Sequence, residues 1–306
     1  MGRGQIEKVK TNLRLLGRED LTALLWIFPA LLVYALIVLL PQVLNLGYAF
    51  TNYDGFDPAF SWVGADNFVK ALTKDQDLVA AFLNTVVFAT VSLAIGLVLQ
   101  FFLAYKLYRG MAGSGFLKGL FYLPMVVSMV ILAVLWSGIL RYHGMLNALL
   151  SAMNWISEPV DWLGDRTLSM ASLIFVNAWC YLGYGAIIFL AGFNAIPVDL
   201  LESADIDGAG GWVRLWRIYI PLLMNSVTVS LFIGLTGAIK IFELPFVLTH
   251  GGPAGATTTI AYGIYKEAFD NQRFGYSSAV SVLFTLIIGL LTLVQLRATR
   301  SREVEY

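Results

Sequence analysis

The sequence predicts an all-α membrane protein with six transmembrane helices, both termini in the cytoplasm, and a cytoplasmic helix-turn-helix loop between helices four and five. Of the 306 residues, 58% are hydrophobic and 13% are charged, whereas a typical soluble protein has about 25% charged residues. The mean hydropathy is +0.74. Several windows of about 20 residues carry few or no charges, and a helix of that length crosses the hydrocarbon core of a bilayer.

Six apolar segments have this length. They cover residues 21–46, 79–107, 116–140, 168–193, 225–248 and 277–296. The first segment is too long for the apolar part of a signal peptide, and no small-residue cleavage site accompanies it. It is therefore expected to be retained as a span.

The distribution of basic residues predicts which side each terminus occupies. With the amino terminus inside, 13 of the 20 lysines and arginines lie in cytoplasmic segments and six lie on the opposite side. Cytoplasmic segments carry an excess of lysine and arginine in membrane proteins. An even number of spans then places both termini in the cytoplasm.

The whole apolar region is interpreted as one domain. One polytopic membrane domain is expected over 21–297, with its core at 79–297 and a polar loop at 196–221. A basic cytoplasmic segment, 1–20, precedes it, and a cytoplasmic tail, 298–306, follows it.

The polar loop contains signals for two short helices. Asp199 and Glu202 have the spacing of a capping box, which predicts a helix over 200–207. Gly208 can adopt the left-handed conformation that often ends a helix. A second short helix is expected over 212–219.

Two interpretations of this loop are open. It could lie on the cytoplasmic surface of the membrane, but a helix there is expected to be basic because inner leaflets are anionic. The loop instead carries Glu202, Asp205 and Asp207. Its small residues would also let another backbone approach closely. These features favour the docking of a protein partner.

The sequence has no signal for chemistry of its own. It lacks the Gly-x-x-x-x-Gly-Lys-Ser/Thr pattern of a P-loop, so any ATP must be bound by a partner and the chain is not expected to be an enzyme. His143 and His250 lie far apart without accompanying ligands, so neither a metal nor another cofactor is expected in this chain. Cys180 is the only cysteine, and its apolar neighbours favour a buried, unreactive thiol.

The polar loop also carries a family resemblance. Its motif reads Glu202-Ser203-Ala204-x-x-Asp207-Gly208-Ala209 and continues with Ile218-x-x-Pro221. It resembles the EAA loop of permease subunits of bacterial ATP-binding-cassette importers. Three further stretches, Phe50-Thr51-Asn52, Ile241-Phe242-Glu243 and the turn from Thr249 to Pro253, are similar to the carbohydrate branch of that family. The likeness covers about residues 20–297 and is greatest to the maltose and glycerol-3-phosphate permeases.

The resemblance implies a role and a set of partners. The ATPase-coupling residues would be Glu202, Ser203, Ala204, Asp207 and Gly208. The expected complex contains a second, homologous permease subunit, two ATPase subunits that bind ATP and Mg, and an extracytoplasmic solute-binding protein. It would sit in the bacterial cytoplasmic membrane and import sugar by alternating access.

Two departures from the family pattern concern this loop. Ser203 replaces the usual alanine, and Gly210-Gly211 stand where a polar or basic pair is common. The glycine pair is expected to loosen the turn between the two short helices.

Spans four and five are expected to contact substrate. In the resembling family these spans line the translocation cavity, and sugars are commonly held by aromatic faces and hydrogen-bonding groups. Candidate pathway residues, chosen by position, are Tyr181, Tyr184, Gly234, Gly237, Ala238 and Ile241. The alternative is that the aromatic rings pack against neighbouring spans and the glycines permit close helix approach.

Lys240 and Glu243 are ionisable residues predicted inside span five. Their spacing of i, i+3 would let them form an ion pair on one helix. Such a pair, or a contact with a neighbouring subunit, is at least as favoured as a contact with sugar. Rival functions are import of a phosphate ester or polyamine and, with only Glu243 as a candidate carboxylate, an ion-coupled secondary transporter. No residue constellation supports an intramembrane enzyme.

Overall fold

The computed structural model describes residues 18–110 and 113–301, with side chains from residue 25 onward. These residues form helices joined by turns and loops. The helices are α1 (Arg18–Tyr34, a π turn at Ala35–Leu39, and Leu40–Tyr48), α2 (Asp66–Thr73), α3 (Gln76–Tyr108), α4 (Ser114–Val126), α5 (Met129–Leu140) and α6 (Met145–Ala152). They continue with α7 (Arg166–Ala195), α8 (Val198–Ile206), α9 (Gly211–Arg214, a π turn at Leu215–Tyr219, and Ile220–Leu222), α10 (Met224–Ile239), α11 (Ile260–Tyr265 and a π turn at Lys266–Asp270) and α12 (Phe274–Arg300).

The all-helical prediction is confirmed for the described residues, where the only strand-like feature is one isolated bridge between Thr51 and Trp62. Five helical stretches are long and apolar enough to cross a membrane. They are Leu25–Tyr48, Gln76–Tyr108, Met129–Ala152, Arg166–Ala195 and Phe274–Arg300. A sixth span exists if α9 and α10, which meet at 66°, are counted as one. Most of the basic segment 1–20 and the end of the tail 298–306 lie outside the described residues.

The third predicted span, 116–140, is divided into two helices. Helix α4 ends at Val126, and Val127 and Ser128 have extended backbone before α5 begins. The carbonyl of Pro124 accepts hydrogen bonds from the Val127 amide at 3.3 Å and from the Cys180 thiol at 3.7 Å. The thiol is buried, as predicted, and it helps to satisfy the backbone at the break.

The fifth predicted span, 225–248, is also broken. Helix α10 ends at Ile239, and its 16 residues give a length of about 24 Å. Ile241 and Phe242 are non-helical before a short turn of helix leads into the π turn Pro245–Thr249. Proline alone does not explain this break, because it begins five residues before Pro245.

Threonine side chains hold the irregular segment after α10. Thr259 donates its hydroxyl hydrogen to the carbonyl of Ile241 at 2.9 Å, and the hydroxyl of Thr85 in α3 accepts from the Ile260 amide at 2.9 Å. Asn84 donates to two carbonyls of the same segment. Non-helical backbone is tolerated at membrane depth only where protein or cavity water satisfies its polar groups. These side chains therefore replace the missing helical bonds.

Helix α7 lies at the centre of the packing. In the apolar 18-residue segment that qualifies α7 as a span, 56% of the residues are buried, whereas in the corresponding segment of α1 the share is 0%. Two glycines permit this close packing. A Cβ atom at Gly183 would lie 2.1 Å from the carbonyl oxygen of Phe121 in α4, and one at Gly185 would lie 2.0 Å from the Cδ of Gln100 in α3. Both distances are far below van der Waals contact. At Gly183 the obstacle is backbone, so only glycine fits there, whereas a side chain at position 185 would displace the end of Gln100.

Helix α1 is the least integrated part of the fold. Its last segment, Leu40–Tyr48, packs on α12. Its large apolar side chains are exposed along the whole described length, and Trp26 is 83% exposed. In a bilayer this surface faces lipid or another membrane subunit.

We predict that Gly183→Ala weakens the packing of α4 on α7. The new methyl group overlaps backbone atoms of Phe121, and overpacking of this kind costs about 1–3 kcal/mol. The unfolding temperature of the purified protein in detergent should therefore fall.

Gly289→Ala in α12 is the matched control, since nothing lies within 4 Å of a Cβ there. Alanine has the higher helix propensity, so the control should unfold at the same or a higher temperature. Equal stability of the two variants would contradict the close contact at Gly183.

Candidate functional site

The loop between α7 and α10 contains the two short helices that the sequence predicted. Helix α8 begins after Pro197, earlier than the predicted start at residue 200, and Asp199 lies in its first turn. The predicted capping box is therefore wrong, because proline occupies the capping position. Ser203 instead donates its hydroxyl hydrogen to the carbonyl of Asp199 at 2.8 Å.

Gly208 ends α8 in the expected conformation. Its φ of +68° lies in the left-handed region, which strains residues that have a Cβ. Nothing lies within 4 Å of a Cβ at this position, so glycine is needed for its backbone and not for space. Of the other motif residues, Ala204 is buried, whereas Glu202, Ser203 and Asp207 are exposed.

The loop also exposes large apolar side chains that the sequence did not single out. Ile206 is 87% exposed and Trp212 is 71% exposed, and Trp216 beside it is half-exposed. A contiguous exposed apolar patch usually marks an interaction site. The signal in the sequence was the presence of tryptophan and isoleucine within an otherwise acidic, turn-rich loop.

An aromatic cluster anchors the second half of the loop. Tyr219, near the end of α9, is only 2% exposed. Its ring contacts Phe193 of α7 with centroids 5.4 Å apart and Tyr105 of α3 at 5.7 Å, and Tyr108 stacks on Phe193 at 5.1 Å. Aromatic pairs contribute about 0.5–1.5 kcal/mol each beyond burial. The loop is thereby fixed to the ends of α3 and α7.

The predicted ion pair between Lys240 and Glu243 does not form. Lys240 and Glu243, both in the described part of the chain, are exposed and make no ion pair with each other. The predicted pair requires a continuous helix, and α10 ends before Lys240. An ion pair does form in the polar loop, where Arg214 of α9 meets Asp205 of α8.

A cavity of about 600 Å³, which includes open solvent, lies between α3, α7 and α10. Its lining includes five of the six candidate pathway residues, namely Tyr181, Tyr184, Gly234, Gly237 and Ala238. Ile241 is absent from the lining. Ile241 is 5% exposed and lies in the hydrophobic core. Because α10 ends at Ile239, the helical face that lines the cavity does not continue to residue 241.

Several polar lining residues were missed from the sequence. They are Ser92 and Gln100 of α3 and Ser230 of α10, whereas Asn177, which also lines the cavity, lies in span four, where substrate contacts were expected. Gln100 donates from Nε2 to the carbonyl of Tyr181 at 3.3 Å, and Gly185 leaves the space for its side chain. Single polar residues within apolar spans were the available signal, but only the tertiary packing brings them to one cavity.

The cavity presents hydroxyl, amide and aromatic groups on an apolar wall. The hydroxyl oxygens of Ser92 and Ser230 are buried and have no hydrogen-bond partner among the described residues. Buried polar groups are usually paired, and both serines belong to the lining of the cavity. None of the described residues that line the cavity is Asp, Glu, Lys or Arg.

Residues that could hold a metal ion do not cluster in 18–110 or 113–301, where no group of three or more His, Cys, Asp or Glu side chains comes together. The arrangement in the described residues suits the binding of a neutral polar solute.

Comparison with known proteins identifies the family. The chain is 32% identical over 296 residues to the probable ABC transporter permease protein YurN of Bacillus subtilis, covering 95% of this chain and 100% of that protein. It is 32% identical to the probable starch degradation products transport system permease protein AmyD of Thermoanaerobacterium thermosulfurigenes, covering 92% and 95%. A crystal structure of a bacterial alginate ABC transporter, in complex with an alginate pentasaccharide-bound periplasmic protein, contains a similar chain. That chain superposes with a TM-score of 0.78 and 26% identity, covering 94% of this chain and 98% of that chain.

Residues 96–302 match the model of a protein family described as the binding-protein-dependent transport system inner membrane component. This match covers more than half of the chain and includes all of α7, the polar loop and α10. The resemblance to permease subunits is therefore confirmed. The chain belongs to the family of binding-protein-dependent transport system inner membrane components and is a multi-pass protein of the inner membrane.

Proposed function

We propose that this chain is one of two permease subunits of an ATP-driven sugar importer and forms half of its translocation pathway. The observation that carries the proposal is a shared set of helices. Helices α3, α7 and α10 line the cavity, and the ends of α3 and α7 hold the polar loop through the Tyr219 cluster. A displacement of the loop is therefore passed directly to the cavity wall.

The polar loop is the contact for the ATPase. Exposed Glu202, Ser203 and Asp207 face away from the protein body, while Ala204 packs inward and Gly208 sets the turn. Exposed Ile206 and Trp212 add apolar area to the same surface. The partner ATPases bind ATP and Mg, so this chain transmits their movement and is not itself an enzyme.

The topology follows from the position of this loop. The loop and both termini lie in the cytoplasm, in agreement with the bias of lysine and arginine. The segment 21–297 acts as one permease domain, with its core at 79–297, the basic segment 1–20 before it and the tail 298–306 after it. In alternating access, ATPase closure moves the loop and opens the cavity to the solute-binding protein outside.

The chemistry of the cavity favours a sugar over the rival solutes. Free hydroxyls of Ser92 and Ser230 can bond sugar hydroxyls, and Tyr181 and Tyr184 supply aromatic faces. A phosphate ester or a polyamine is charged, so the cavity would need buried side chains of opposite charge to bind it. The described residues that line the cavity in this subunit include none. The names of relatives such as AmyD, a starch degradation products permease, agree with a carbohydrate.

An ion-coupled secondary transporter is the less favoured alternative. Such a transporter needs carboxylates in its pathway, and Glu243 is exposed outside the cavity lining. Solute accumulation driven by an ion gradient, without any ATPase subunit, would support this alternative.

We predict that Gly208→Asp and Glu202→Lys each abolish transport while the permease stays in the membrane. Aspartate at Gly208 is strained by the positive φ, and lysine at Glu202 reverses a charge on the docking surface. The ATPase subunits should no longer co-purify with either variant.

Glu158→Lys is the matched charge reversal, since Glu158 is exposed in the loop between α6 and α7, at the opposite end of the molecule. It should retain the ATPase. Normal co-purification with all three variants at equal expression would overturn the coupling role of the loop.

We further predict that Ser92→Ala and Ser230→Ala slow import. Each loses one hydrogen bond to the solute, worth about 0.5–1.5 kcal/mol, so the maximal uptake rate at saturating binding protein should fall about threefold to tenfold per variant. The saccharide is chosen by a thermal-shift screen of the partner binding protein, with putrescine and glycerol 3-phosphate as rival ligands.

Ser278→Ala provides the control for this test. Its hydroxyl is also buried and unpaired among the described residues, but it lies in α12 and not in the cavity lining. Its uptake rate should equal that of the wild type. Equal rates in all three serine variants, or a binding protein stabilised only by the rival ligands, would contradict the sugar pathway.

A further inference from the structure

Backbone hydrogen bonds close each short helix: the Ala209 amide donates to the carbonyl of Ala204 at 3.0 Å, and the Arg214 amide donates to that of Gly210 at 2.9 Å. Among the described residues, however, the turn between α8 and α9 is not bridged by a backbone bond from one helix to the other. It contains Gly208, with a φ of +68°, and the pair Gly210-Gly211. Nothing lies within 4 Å of a Cβ at any of the three positions. Glycine has the greatest backbone freedom of any residue, so this turn would allow α8 to swing relative to α9.

Arg214 spans this turn. Its guanidinium pairs with the carboxylate of Asp205 on α8, and its Nη2 also donates to the carbonyl of Ala209 at 3.4 Å. The planar, multiply donating guanidinium of arginine suits such simultaneous contacts. One side chain on α9 therefore bonds both the last turn of α8 and the linker that follows it.

Arg214 is held by the body of the protein and not by solvent. Its side chain is 16% exposed, whereas that of Asp205 is 63% exposed. Arg214 belongs to the same helix as Tyr219, which lies in the aromatic cluster on α3 and α7. The ion pair thus joins α8 to the helix that Tyr219 anchors.

We propose that Arg214 and Asp205 are positioning residues that lock α8 and α9 into one rigid lever. Helix α8 carries the proposed ATPase contacts, and both short helices pack on the ends of α3 and α7, α8 through Leu201 and α9 through Tyr219. The pair offsets the freedom of Gly210-Gly211, so movement of α8 reaches the cavity without being lost in the turn. This inference rests on the proposed coupling function of the loop.

The test uses the full importer in nanodiscs, with spin labels on cysteines introduced at Leu200 of α8 and Trp216 of α9. Both positions are exposed, and the native Cys180 is buried. The width of the distance distribution between the labels measures the rigidity of the loop. Arg214→Gln, Asp205→Ala and the double variant are compared with Arg217→Gln, an exposed arginine of the same helix that forms none of the ion pairs of the described residues.

The two single variants should each widen the distribution about twofold, and the double variant should widen it no further, because residues of one pair are not additive. Arg217→Gln should match the wild type. A second label pair, at Val98 of α3 and Val229 of α10, reports the change in distance between these two cavity helices when the importer is trapped with Mg-ATP and vanadate. That change should fall to about half in the pair variants while Mg-ATP hydrolysis stays within about twofold of wild type.

Each failure has a distinct signature. Unchanged widths in Arg214→Gln and Asp205→Ala, or effects that add in the double variant, would overturn the lock. Asp205→Ala alters only an exposed side chain. If Arg214→Gln is poorly folded, the width of the distance distribution in Asp205→Ala therefore tests the lock. Failure of the proposed function would instead be seen as ATPase subunits that remain bound to Glu202→Lys, whatever the widths are.

Discussion

Close packing of α7 against α3 fixes the positions of both candidate sites. Gly185 gives Gln100 its place at the cavity, and further along the same helix pair Phe193 stacks on Tyr108 beneath the polar loop. Transmembrane helices gain little hydrophobic energy from association in lipid, so small residues and tight contact must hold them together. A change at either end of this helix pair is therefore felt at the other.

The breaks in the third and fifth predicted spans follow from the same requirement for internal bonding. Helix α10 can end at Ile239 because Thr259 and Thr85 satisfy the backbone groups that lose their helical partners. Each unsatisfied group in hydrocarbon would cost several kcal/mol. The Thr249–Pro253 turn, which the sequence singled out by resemblance, belongs to the irregular segment that these hydrogen bonds hold in place.

Hydropathy and turn chemistry were sufficient for much of this architecture. Apolar length predicted the long helices, and the need for a positive φ predicted the role of Gly208. The breaks at Val127 and Lys240 were not predictable, because their bonding partners, Cys180 and Thr259, are distant in sequence. The cavity residues were found only in part for the same reason, and the Lys240–Glu243 pair failed because it assumed a continuous helix.

The account as a whole requires that nucleotide at the ATPase changes access to the cavity. A single cysteine introduced at Ser230, with buried Cys180 as the only other thiol of this chain, measures this in the assembled importer with a membrane-impermeant thiol reagent added from outside. Labelling should rise sharply on trapping with Mg-ATP and vanadate and stay low without nucleotide. Equal labelling in the two states would contradict the mechanical link between the loop and the cavity.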